Sequence, residues 1–184
     1  MLTLNTYEQA DFPAIYNWQA VAFMRCEWPW IFTGDLLYLA DPYPADLAPL
    51  HFVLTEGDNL LSYAAAIRLN LEHAGQTWSL AGFGNMFTFP PYRKNGYGRQ
   101  VLKLATDTIR SSDAEIAMLF CDAALEPFYA SQGWQTTLSP TRIGTPDQYR
   151  PHEYGIRMML FVSEKSQQHR QAFEEQPVYV AWTW

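Results

Sequence analysis

The sequence predicts an α+β fold built on a mixed, mostly antiparallel central β-sheet flanked by helices. Two observations carry this. Long β-patterned runs, Leu60–Glu72 and Gln76–Phe89, are separated only by His73-Ala74-Gly75, the spacing of an antiparallel hairpin. Beyond them, Val101, Leu102, Leu104, Ala105 and Ile109 fall near helical spacing, and Ala117–Cys121 reads as a buried strand.

The remaining elements follow in chain order. Leu2–Thr6 alternates as a strand, and Tyr7–Met24 carries a broad apolar stripe through Phe12, Ile15, Tyr16, Trp18, Val21, Ala22 and Met24 that predicts a helix, with Asp11-Phe12-Pro13 suited to a helix start. Glu27–Phe32 is strongly aromatic but broken by Pro29, which predicts a loop. That loop either shapes a binding cleft or covers the core. The prolines of Asp41–Pro49 make an irregular connector, His51–Thr55 a strand and Gly57-Asp58-Asn59 a turn into the meander. Pro127–Gly133 reads as a short helix ended by a glycine, with Asp122 before it as a turn or cap. Gln135–Leu138, Tyr154–Val162 and Val178–Trp182 read as strands, and Ser163–Glu175 as a polar helix. With no linker, repeat or low-complexity tract, the reading is one domain over residues 1–184.

Composition narrows the function classes. The formal charge of −7 argues against binding nucleic acid, which requires cationic neutralisation of phosphates, and ranks amines above acidic molecules as substrates. Cys26 and Cys121 stand far apart without metal-ligand spacing, so no metal is expected, and a reducing cytoplasm fits best. Met1 leads into a strand pattern with no signal core or membrane-length run, so neither export nor a membrane association is expected.

Chemistry concentrates at Arg93-Lys94-Asn95-Gly96-Tyr97-Gly98, between a β-patterned run and a helix-patterned segment. Two glycines separated by one residue let backbone N–H groups turn inward, and the helix beginning there adds the positive end of its dipole. The pattern lacks the third glycine of a dinucleotide fingerprint and the Gly-Lys-Ser/Thr ending of a nucleotide phosphate loop. A second signal is the strand to Cys121 followed by Phe128-Tyr129-x-x-x-Gly133-Trp134.

Together these resemble the GNAT N-acetyltransferase superfamily. Its acetyl-CoA motif, Arg/Gln-x-x-Gly-x-Gly/Ala, is matched by Arg93, Gly96 and Gly98, and its second motif by Phe128, Tyr129, Gly133 and Trp134. The resemblance covers roughly residues 78–134. It implies a GNAT-like sheet whose strands splay apart to form an acetyl-CoA-binding cleft, with the pantetheine arm lying in the gap like an added strand. Acetyl-CoA is thus the expected co-substrate and an amine the expected acceptor; oligomeric state is left open, a homodimer included. The diphosphate is expected on the Arg93–Arg99 loop, mostly on backbone N–H groups of Lys94, Gly96, Tyr97, Gly98 and Arg99 with Arg93 and Lys94 supplying neighbouring positive charge, and the pantetheine and oxyanion on N–H groups near Phe87 and Phe89.

Tyr129 is the candidate acid for the departing thiolate, the alternative being that it packs or binds sulfur while solvent supplies the proton. Ser131 is a weaker candidate, suited to hydrogen bonding on the helix surface. Many relatives carry a base glutamate where this chain reads Ala81-Gly82-Phe83-Gly84-Asn85, which leaves Asn85 to position a water. Asp122 is a second candidate base whose better role is helix capping. Leu119-Phe120-Cys121, Tyr129-Ala130-Ser131-Gln132-Gly133-Trp134 and Trp184 show a partial resemblance to the aminoglycoside 2'-N-acetyltransferase branch, where the carboxy-terminal region borders the acceptor. Trp184, from that resemblance, and Trp28 and Trp30, from the aromatic density of their loop, are the expected acceptor contacts. The leading reading is acetyl transfer to a small cationic or aminoglycoside-like amine; the alternatives are a peptide amine as acceptor, or acyl-CoA binding without catalysis.

Overall fold

The computed structural model describes residues 1–184, which contain ten strands and five α-helices. β1 (Leu2–Glu8) runs antiparallel to β2 (Leu50–Glu56), from Leu2↔Glu56 to Glu8↔Leu50. The helical pattern expected from Tyr7 onward is therefore too long at its start: Tyr7 and Glu8 belong to the strand, and α1 spans Ala14–Glu27 after a 3₁₀ turn at Gln9–Asp11. Pro13 sets the boundary, because its ring holds the preceding Phe12 in extended backbone.

β2 pairs antiparallel with β3 (Asn59–His73), from Glu56↔Asn59 to Leu50↔Ala66. β3 turns into β4 (Gln76–Thr88) through Ala74 and Gly75, both at positive φ (51° and 72°), the geometry of a type I′ hairpin. α2 (Tyr97–Arg110) buries Val101, Leu102, Ala105 and Ile109, one face at helical spacing, and leads to β5 (Ile116–Cys121). β4 and β5 are parallel over only three pairs, Leu80↔Ile116 to Gly82↔Met118.

Short α3 (Glu126–Ala130) and β6 (Gln135–Thr137) follow. Two strands that the sequence reading missed come next, β7 (Thr141–Ile143) and β8 (Arg150–Pro151). β9 (Ile156–Phe161) lies antiparallel to both β5 and β6. The expected helix Ser163–Glu175 is two, α4 (Glu164–Gln168) and α5 (Arg170–Glu175), separated at His169. β10 (Val178–Val180) pairs in parallel with β7. The strand order is β1-β2-β3-β4-β5-β9-β6 in the large sheet and β10-β7-β8 in the small one. No helix is long and apolar enough to cross a membrane.

The chain forms two compact units, residues 1–67 with 85–105, and residues 68–84 with 106–184. In the first, Phe12 stacks on His51 (4.0 Å), whose Nδ1 and Nε2 meet Tyr63 Oη and Gln9 Oε1, each at 2.8 Å. Gln9 Oε1 can only accept, so Nε2 carries the proton and Nδ1 accepts from the tyrosine. Burial holds this imidazole neutral, with its pKa lowered from 6.5 to about 4. In the second unit, Trp78, Ile116, Met118, Met159 and Phe173 form the core. Arg157, also buried, donates from Nε to Thr137 Oγ1, from Nη1 to Thr141 Oγ1, and from Nη2 to Ser139 Oγ and Phe173 O. These bonds fasten β6, the start of β7 and α5 around one guanidinium.

Candidate active site

In the first unit, β4 ends in a loop shaped for an anion. Asn85 sits in left-handed backbone (φ 52°) inside the strand, a conformation that asparagine tolerates better than most residues and that marks a local break in the pleat. Its side-chain amide has no hydrogen-bond partner in the protein. Beyond it, Ser62 Oγ bonds to Phe87 O and Thr88 Oγ1, both at 2.8 Å, and the Phe89 N–H donates to Leu61 O at 3.0 Å. Phe87 is buried against Phe23 (4.3 Å) and Phe89 (5.4 Å).

These bonds correct one expectation. Phe87 and Phe89 direct their backbone toward β3, and the Phe89 N–H is already spent there. Neighbouring residues of a strand present their N–H and C=O to opposite sides, so the backbone edge facing away from β3 belongs to Met86 and Thr88.

Arg93 departs from expectation too. Its Nε donates to Thr88 O at 2.9 Å and its Nη2 lies 3.7 Å from Glu27 Oε1, so the guanidinium ties the strand end to the last turn of α1. Its role in the loop is to brace it. Asn95 Nδ2 adds a bond to Tyr92 O at 3.2 Å. Between these props Lys94 and Gly96 both take positive φ, 68° and 76°, and the first helical bond of α2 runs from Gln100 N to Gly96 O. The N–H groups of Tyr97, Gly98 and Arg99 thus precede the helical ladder, and no acidic residue occupies that first turn. Alternating left-handed residues followed by three unpaired N–H groups at a 14-residue helix give a geometry suited to an anion such as phosphate. Trp28 caps the end of α1, where it is half-buried, and Trp30 is 69% exposed. Phe32 is buried beneath the Arg25 guanidinium, so of the aromatic loop one residue covers core while Trp30 stays available.

In the second unit, β5 leads to Asp122, whose carboxylate accepts from the Ala124 N–H at 2.8 Å, the capping role. Ser131 Oγ donates to Phe128 O at 2.6 Å, the helix-surface bond expected of it. Tyr129 is buried, edge-on to Phe83 (6.3 Å) and Phe128 (5.0 Å). Its hydroxyl makes no hydrogen bond within the protein, and burial, with the nearby Cys121 in support, holds its pKa above the ordinary phenol value. Cys121 is also raised, to about 11, by burial first and then by Asp122 and Glu126. A buried phenol kept protonated is a proton donor, and a thiol held protonated is a poor nucleophile. Behind them Gly133 ends the turn at φ 86°, and the buried Trp134 donates from Nε1 to Thr106 Oγ1 at 3.0 Å, fixing α2 against the strand that follows α3.

Trp184 lies elsewhere in this unit. Its Nε1 donates to Met118 O at 3.1 Å and its ring meets Phe120 edge-on at 5.3 Å. It forms one wall of a cavity of about 460 Å³ that also includes Glu72, Tyr149, Tyr179 and Trp182. The latter four were not singled out by sequence; the aromatic crowding near the end of the chain was the one available signal.

The first unit thus carries a strand-to-helix turn with exposed N–H groups, and the second a strand followed by a short helix bearing a buried tyrosine, the two motifs singled out in the sequence. The acetyltransferase (GNAT) domain family matches residues 4–137, and the chain belongs to that family. It is an acyltransferase, and acyl-CoA is the co-substrate of the family. The structure resembles an acyl-CoA N-acyltransferase from Pseudomonas aeruginosa (17% identity, TM-score 0.58, covering 86% of this chain and 99% of that one). It also resembles Escherichia coli ElaA (18% identity, TM-score 0.58, with the same shares of each chain). A probable N-acyltransferase from Enterococcus faecalis matches over 74% of this chain at 15% identity and TM-score 0.52, and there the chain spans only 33% of the other protein. At these identities the likeness is one of fold. No curated protein matches.

Proposed function

We propose that the protein transfers an acetyl group from acetyl-CoA to the primary amine of a small cationic molecule, by direct attack of the amine in a ternary complex. The observation that carries this reading is the unpaired N–H cluster at Tyr97, Gly98 and Arg99, framed by left-handed Lys94 and Gly96 and free of acidic competition. That cluster holds the diphosphate, and the outward backbone edge at Met86 and Thr88 holds the pantetheine amides and the developing oxyanion.

The nitrogen lone pair attacks the thioester carbonyl, and the tetrahedral intermediate collapses with cleavage of the C–S bond. Tyr129 gives its hydroxyl proton to the departing sulfur, and the proton shed by the amine restores it through water. No carboxylate occupies Ala81–Asn85, so Asn85, with its unpartnered amide, is assigned the water that carries that proton. Trp28, Trp30 and Trp184 are assigned to acceptor recognition, and an acidic protein of net charge −7 suits a cationic acceptor.

The test is a turnover screen of diverse amines with acetyl-CoA, following free thiol. Amine-dependent thiol release supports the reading. Tight acetyl-CoA binding with no release for any amine would leave a binding protein instead.

A further inference from the structure

The second unit contains a cavity of which the reading above uses only Trp184. The cavity of about 460 Å³ is bounded on one side by residues 69–72 of β3 and on the other by the segment from Val180 to Trp184. β2 stops pairing with β3 at Ala66, so at residues 69–72 that edge of β3 has no strand partner, and its outward carbonyls are available as acceptors. Four aromatic rings complete the walls. Tyr149 and Tyr179 stand 4.6 Å apart at 59°, and Trp182 and Trp184 stand 5.9 Å apart at 82°. Trp184 is pinned by its bond to Met118 O, which makes it a fixed wall. The other three remain 37–43% exposed, an expense in apolar surface that burial elsewhere did not remove.

Charge selects the ligand. Glu72, whose Oε1 accepts from Thr77 Oγ1, is the one charged residue lining the cavity, and no basic side chain lines it. Ring faces carry negative quadrupole potential, so an aromatic lining of four rings with strand-edge carbonyls and no basic side chain favours a cation with an apolar body.

We propose that this cavity is a binding site for an organic ammonium, and that it receives the cationic end of the acceptor. Its use by the acceptor rests on the transfer reading; the cation site stands on the cavity itself. The test uses choline and its neutral isostere 3,3-dimethylbutan-1-ol, which share a shape and differ in charge, titrated calorimetrically into the full-length protein. Neither needs to be acylated, so the result does not depend on turnover. The expected result is binding of choline at least about tenfold tighter than of the alcohol, with affinity for choline reduced about fivefold or more in Trp182→Leu and in Tyr179→Leu and largely kept in Trp182→Phe. Both residues are partly exposed, and circular dichroism verifies that the variants fold. Equal affinity for the two probes, no binding of either, or choline binding that neither leucine variant changes would overturn the cation site while leaving acetyl transfer standing. Absence of turnover with every amine, alongside choline-selective binding, would sink the transfer reading and leave the cation site.

Discussion

Replacing Tyr129 with phenylalanine isolates one proton. The hydroxyl makes no hydrogen bond within the protein, so its loss leaves no buried partner unsatisfied, and the ring keeps its edge-on contacts with Phe83 and Phe128. Stability should therefore stay within about 0.5 kcal/mol of wild type, the range of substitutions that break no buried network. Acetyl-CoA affinity should also hold, because the diphosphate is proposed to bind at residues 94–99. Turnover should fall by roughly 10² to 10⁴, the usual worth of one general acid, or about 3–5 kcal/mol of barrier. Burial raises the Tyr129 pKa above the ordinary phenol value, so the acid stays protonated throughout a practical assay. The wild-type rate should thus rise with pH as the acceptor amine loses its proton, with no descending limb below about pH 10. Steady-state kinetics across pH, calorimetric acetyl-CoA binding and thermal unfolding of the two proteins make the comparison. Wild-type kcat in a folded Tyr129→Phe protein would refute the assignment and reduce the tyrosine to packing.

Other outcomes follow from the same geometry. Gly98→Val should abolish acetyl-CoA binding in calorimetry while the domain stays folded, because valine is at least as good as glycine inside a helix yet blocks approach to the N–H cluster; unchanged affinity would remove the cradle. Gly155→Ala should cost on the order of 3 kcal/mol in denaturant unfolding, since Gly155 sits at φ 75° and its new Cβ would fall 2.2 Å from Cys121 O. Gly96→Ala, at φ 76° with nothing within 4 Å of the new Cβ, should cost only about 1 kcal/mol. His51 is buried, with its folded pKa depressed from 6.5 to about 4, so its contribution is complete above pH 6.5. As pH falls toward 4 the unfolded chain takes up a proton that the folded chain refuses, and about 3 kcal/mol should be lost; urea unfolding of wild type against His51→Gln measures it, and equal acid sensitivity in both would contradict the assignment.

The sequence by itself determined the order of the longer elements and the two motifs. The β3–β4 hairpin, the strand at Ala117–Cys121, the cap at Asp122 and the turn at Gly133 each follow from short-range rules, because alternation, capping chemistry and a left-handed glycine act over a few residues. The start of α1 was misjudged where an apolar stripe ran on into a strand whose β2 partner is more than forty residues away. The strands β7 and β8, only three and two residues long, are too short to show a period; Arg157 and β10 hold β7, and β8 pairs with β7. Tertiary structure alone decided the direction of individual groups. Nothing local says that Arg93 turns to Glu27 and Thr88, that the Phe89 N–H is spent on Leu61, or that Glu72 and four distant aromatic rings enclose one cavity. Local sequence limits which backbone forms are affordable, whereas the aim of a side chain or an N–H depends on partners that long-range packing brings within reach.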